Sequence, residues 1–137
     1  MNKRFLQELS EIRIKEAEYL FKNRQYSGAY YLAGYTVECA LKACIAKKIR
    51  RFEFPDKKFV TDSYTHDLTK LIKIAGLENN HKVEQSTDAN FSTNWAIVKE
   101  WDETSRYEIF SRVESKELID AITSTTGGVL LWIRKYW

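Results

Sequence analysis

The residues of this chain with the chemistry to act on a ligand are two histidines, two cysteines, a few arginines and a run of tyrosines, and their spacing sorts them. His66 precedes Asp67, and His81 stands in a polar stretch; neither belongs to an H-E-x-x-H pattern, so neither a metal site nor a cofactor is expected. An imidazole can move a proton near neutral pH, which makes His66 a candidate acid or base; otherwise His66-Asp67 simply opens a short helix, where a first-turn carboxylate is favoured. Cys39 and Cys44 lie five apart, which fits neither a C-x-x-C redox pair nor a zinc pair. In an apolar helical stretch they read as buried free thiols rather than nucleophiles. Arg106 and Tyr107 form a pair suited to holding a phosphate or a base; alternatively Arg106 makes an internal salt bridge that pins the loop before the last helix. Glu38 sits in an otherwise apolar helix, where it could face Arg106 or pair with Lys42 four residues on. Tyr26, Tyr30, Tyr31 and Tyr35 could stack on bases, or serve as core or dimer interface.

Helices must position these residues. The spacing of Phe5, Leu6, Leu9, Ile12, Tyr19 and Leu20 predicts an amphipathic helix from Lys3 to Lys22. Ser27 can cap a second helix from Gly28 to Arg50, apolar around so much of its girth that it should be central. Residues 51–65, with Pro55, read as a loop. Thr65 can cap a short helix that buries Leu68, Leu71 and Ile72 and stops at Gly76. After the polar residues 78–85, Ser86 or Thr87 can cap a helix to about Trp101 with Phe91, Trp95 and Val98 on one face. Residues 102–114 look irregular. Ser115 can then cap a last helix to the C-terminus, kinked or closely packed at Gly127-Gly128. Five helices with short connections predict an all-α, up-and-down bundle of four to five helices in a single domain over residues 1–137.

Composition narrows the classes. With 137 residues there is room for one core, and 5 Gly and 1 Pro are too few for the turns of a sandwich or barrel. A 44% hydrophobic share with 7 Phe, 8 Tyr and 4 Trp excludes a disordered chain. No apolar run approaches the roughly 18–20 residues of a membrane helix, and the acidic Glu8 and Glu11 argue against a signal peptide, so a cytoplasmic protein without membrane contact is expected. The net charge of +3 is too small to point to nucleic acid by itself, but it is unevenly spread. Residues 1–58 carry 13 basic and 7 acidic side chains, and residues 59–137 carry 9 and 12. The densest stretch, Lys47, Lys48, Arg50, Arg51, Lys57 and Lys58, could meet phosphates or be a solvated helix end.

Three segments taken together carry a family resemblance. Tyr26 to Lys42, YSGAYYLAGYTVECALK, resembles the signature of bacterial and archaeal HEPN-domain proteins. His66-Asp67-Leu68 with Leu71 is similar to that family's HDL segment, and Trp101 to Tyr107 to its aromatic-x-x-x-x-Arg-Tyr segment. The resemblance implies a helical bundle that forms a homodimer, commonly paired with a minimal nucleotidyltransferase in a toxin–antitoxin or defence module. It further implies nucleotide or RNA binding, with Glu38, Arg106, Tyr107 and Tyr35 as ligand-binding candidates and Arg106 and His66 as catalytic candidates. Many members are metal-independent ribonucleases built on Arg-x(4–6)-His. Counting from Arg106, that histidine would fall at Ser111, Arg112 or Val113, so the standard nuclease pair is missing. A binding and assembly module is therefore the leading expectation, and a metal-independent endoribonuclease with a non-standard site the alternative.

Overall fold

Apolar periodicity and side-chain caps divide the chain into helices throughout the computed structural model, which describes residues 2–49 and 54–137. Arg50 and Arg51, expected at the end of the second helix and in the basic run, lie outside the described residues. The elements are α1 (Lys3–Lys22), α2 (Tyr26–Lys47), α3 (Lys57–Asp62), α4 (Leu68–Ile74), α5 (Glu78–Thr87), α6 (Ala89–Val98), a 3-10 turn (Glu103–Tyr107), α7 (Arg112–Thr123) and α8 (Val129–Ile133). The all-α class follows the pattern, with five helices of ten residues or more and three shorter ones among the described residues.

Asn2 caps α1 by accepting from the Phe5 amide, and Leu6, Ser10, Ile14 and Ala17 form its buried stripe. A three-residue connection with Arg24 in the left-handed region turns the chain back. Leu20 meets Gly28 near the turn, Ser10 Oγ donates to the Thr36 carbonyl at 2.9 Å, and Leu6 lies beside Ile45 at the far end. α1 and α2 are therefore an antiparallel hairpin. α2 buries twelve of its residues and touches α1, α4, α7, α8 and the 3-10 turn, the central place its composition predicts.

The element boundaries differ from expectation where local hydrogen bonds compete. α2 begins at Tyr26, so Ser27 is inside it and accepts from the Phe110 amide at 2.9 Å instead of capping. Part of the stretch read as a loop is α3, started by Asp56, whose carboxylate accepts from the Lys58 and Phe59 amides. Asp67, not Thr65, caps α4, and Gly76 ends it with φ +74°. The polar residues from Glu78 form α5, and Asp88 caps α6 because the Ser86 and Thr87 hydroxyls donate back to the Val83 carbonyl. Ser111 caps α7 through a capping box with Glu114, leaving Ser115 buried within the helix. α7 and α8 are separate helices. Gly127 between them has φ +68°, and a Cβ there would lie 2.5 Å from the Phe91 amide nitrogen. The core between α5, α6 and α8 is aromatic: His81 packs edge-on to Phe91, Trp95 and Trp132, and its burial pushes the imidazole below the usual histidine range.

One close approach ties the 99–107 corner to α2. Trp101 is 2% exposed and its ring lies over Gly34, with Tyr31 stacked alongside at 6.1 Å. A Cβ at Gly34 would come under 3.0 Å from three ring carbons. Alanine in a helix interior ordinarily gains about 1 kcal/mol over glycine. Here the clash outweighs that gain, so Gly34→Ala should lose about 1–3 kcal/mol net in urea unfolding, with an altered tryptophan emission. A gain in stability would show that Trp101 does not depend on the missing Cβ.

Candidate functional site

The polar centre grows from one buried carboxylate. Glu38 lies on the central helix and is 2% exposed. Its Oε1 accepts from Lys42 Nζ at 2.9 Å, one helical turn on, and pairs with His66 Nδ1 at 2.7 Å. Its Oε2 has no partner among the described residues. The three residues after Thr65 divide the work: His66 reaches Glu38, Asp67 caps α4 by accepting from the Lys70 amide, and Leu68 is buried in the core. Cap and anchor thus fix where the imidazole stands. Because a carboxylate only accepts, Nδ1 carries a proton in this pair, and Nε2 is the nitrogen free to exchange one. The His66 side chain is 45% exposed and lines a groove of about 530 Å³ whose lining carries two lysines, Lys70 and Lys99, and four carboxylates, Asp67, Glu100, Asp102 and Glu103. A histidine oriented by a carboxylate at the edge of a polar groove can act as a general acid or base.

Tyr35, one turn before Glu38, is half-buried, and its phenol is pushed up by burial and by the neighbouring Cys39 and Glu38. Cys39 is buried, and desolvation with Glu38 nearby pushes its thiol up to about 12. Cys44 is pushed up to about 11, again by burial. Both thiols stay protonated and unreactive near neutral pH, as their apolar helix predicts. The tyrosines are used internally: Tyr26 packs edge-on to Phe21, Tyr30 stacks on Phe110 at 3.6 Å, and Tyr31 lies between Tyr35 and Trp101.

Arg106 and Tyr107 stand apart from this centre. Both are exposed on the 3-10 turn, with the guanidinium 5.1 Å from the Tyr107 ring centroid. Arg106 makes no hydrogen bond or ion pair with Glu38 or His66, and has no ion-pair partner among the described residues. The internal salt bridge considered for it is thus not seen, and Glu38 faces Lys42 and His66 instead. The structure joins His66 to Glu38, sets Tyr35 one turn from Glu38 on the same helix, and leaves Arg106 and Tyr107 outside the lining of the His66 groove. Lys70 and Lys99, which share the groove with His66, were not singled out by motif. Their only sequence signal is Lys70 three residues beyond the cap of α4.

A family model described as HEPN domain matches residues 4–136, essentially the whole chain. No curated protein and no solved structure matches it.

The cluster of Glu38, Lys42 and His66 makes an asymmetric prediction. Lys42→Met leaves a buried carboxylate with one partner and should cost about 3 kcal/mol, because an uncompensated buried charge is expensive. His66→Ala keeps the Lys42 pair and should cost about 1 kcal/mol. Urea midpoints rank the two, and equal losses would show that Lys42 does not compensate the buried charge.

Proposed function

The chain belongs to the HEPN-domain family, and from that premise we propose that it works as a helical assembly module whose working form is a homodimer. The observation that carries this is the ridge over residues 106–113. Tyr107 is 80% exposed, Ile109 94% and Val113 62%, yet the backbone beneath them is held firmly. Trp101 seats on Gly34, Phe110 stacks on Tyr30, and the Phe110 amide donates to Ser27. Other large apolar side chains are exposed too, Phe54, Tyr64 and Tyr19 among them, but the ridge places three within seven residues of one clamped segment, a local patch of the kind that marks an interface. The ridge carries both signs, with exposed Arg106 and Arg112 beside exposed Glu108. A two-fold pairing can set the arginine of one copy against the glutamate of the other, the self-complementarity that an isologous interface needs. The occupant proposed is therefore a second copy of this chain. Each copy brings one His66 groove, available to nucleotide, RNA or a nucleotidyltransferase partner in the toxin–antitoxin or defence setting that the family resemblance implies.

The His66–Glu38 pair supports a second reading, metal-independent cleavage of RNA with His66 as acid or base. Arg106 would then act as an electrostatic clamp only if brought to the groove by the second copy, since within one chain it does not reach His66.

Light scattering tests the assembly. A dimer is expected at micromolar concentration, with Ile109→Asp monomeric and Val83→Asp, an exposed apolar site elsewhere, still dimeric. A monomeric wild type, or equal behaviour of the two variants, overturns the proposal. For the enzyme, incubation with mixed RNA and chelator should show cleavage that falls about 10²–10⁴-fold in His66→Ala. No cleavage at high protein excess removes that second reading.

A further inference from the structure

The groove between α3 and α4 gathers positive charge around an aromatic floor. It encloses about 740 Å³ and is lined by Lys58, Phe59, Thr65, Lys70 and Lys73, with Asp62 as the carboxylate among its described lining residues. Lys70 and Lys73 are three apart on α4, so they share a face, and Lys58 approaches from α3. All three are exposed, and none makes an ion pair among the described residues. A fourth lysine, Lys48 at the end of α2, places its Nζ 6.0 Å from the Phe59 ring centroid. Phe59 is packed against the core, which fixes the ring. Thr65 and Lys70 also line the groove that holds His66, so the two depressions adjoin at these residues.

Like charges gathered in one place repel, and a bound polyanion would relieve that repulsion. Lysine ammoniums follow a phosphate backbone as point charges and need no bidentate fit. A fixed aromatic ring among them offers a face on which a base can stack. A duplex keeps its base faces covered, and an acidic peptide has no use for the phenyl ring. We propose that the α3–α4 groove is a binding track for single-stranded nucleic acid, with phosphates on Lys58, Lys70 and Lys73 and a base against Phe59. The track stands independently of the assembly proposal, because none of its residues belongs to the 106–113 ridge, and it requires no cleavage.

The test is fluorescence anisotropy with a labelled 2′-O-methyl oligouridylate of about 12 nucleotides, a length within the usual span of a single-strand site and without the hydroxyl that cleavage needs. Wild type should bind at low salt. The triple variant Lys58→Ala, Lys70→Ala, Lys73→Ala should bind at least about tenfold more weakly, with the log–log salt slope reduced by about 2. A control triple, Lys15→Ala, Lys22→Ala, Lys116→Ala, removes the same charge elsewhere and should stay within about threefold of wild type. Phe59→Leu, which preserves packing, should lose about fivefold or more in affinity with the salt slope unchanged. Circular dichroism confirms that each variant is folded. Equal weakening by the two triples would reduce the effect to net charge and overturn the track. So would wild type that fails to bind at low salt, or equal affinity for a polyglutamate peptide. Light scattering on the same samples reports the dimer separately, so either proposal can fail without the other.

Discussion

The seat of Trp101 on Gly34 is the constraint on which the functional surfaces depend. An indole ring can lie flat on a helix backbone only where a side chain is missing, and the second helix is bare at that point. Trp101 ends the run from α6, so seating it brings the 99–104 corner against α2 and makes it one wall of the His66 groove. The same seat fixes the start of the 3-10 turn, and Phe110 on Tyr30 fixes the chain beyond its end. Arg106, Tyr107 and Ile109 thus project from a segment clamped on both sides. A single absent methyl group therefore shapes the groove wall and the ridge together.

Glu38 sets a second constraint that pulls against packing. Burying a carboxylate in the central helix costs several kcal/mol unless partners replace its water. Lys42 supplies one partner from the same helix at no topological cost, since the two are a turn apart. His66 supplies the other from a different element, so the bond ties α4 to α2 as well as orienting the imidazole. A leucine at position 38 would pack with less penalty, but it would leave His66 without an acceptor and its ring free to turn. The carboxylate thus buys orientation of a half-exposed histidine rather than stability.

How far this could be read from the residues varies with the range of the interactions. The α1 boundaries, the central place of α2, the burial of Leu68, Leu71 and Ile72, and the stop at Gly76 were all legible, because periodicity and glycine chemistry act within a few residues. Caps were harder. Thr65 and Asp67 both suit the start of α4, and only the three-residue spacing from the Asp67 carboxylate to the Lys70 amide decides between them. Ser111 and Ser115 both suit the start of α7, and only Glu114, three residues after Ser111, decides between them by closing the box. α3 is too short to show periodicity, and α5 buries little besides His81, a polar residue held by three aromatic rings that come from later helices. Within the site, the Glu38–Lys42 pair was visible four residues apart. The Glu38–His66 bond joins residues 28 apart and could only emerge from the fold.

Charge counting shows the same limit more sharply. Residues 1–58 are net positive and residues 59–137 net negative, which would place any polyanion site in the first half. The groove instead draws Lys58 from the end of the basic half and Lys70 and Lys73 from the acidic one. The acidic residues that outweigh those lysines in the count are largely elsewhere or occupied: Asp67 and Asp88 cap helices, Glu114 closes a capping box, and Asp120 pairs with Lys116. A carboxylate engaged in a cap contributes to the net charge of its segment while its field is spent on backbone amides. What a ligand would meet is therefore set by which charges the fold leaves unengaged on one surface, and here those are three lysines against one carboxylate, Asp62, around a packed phenyl ring.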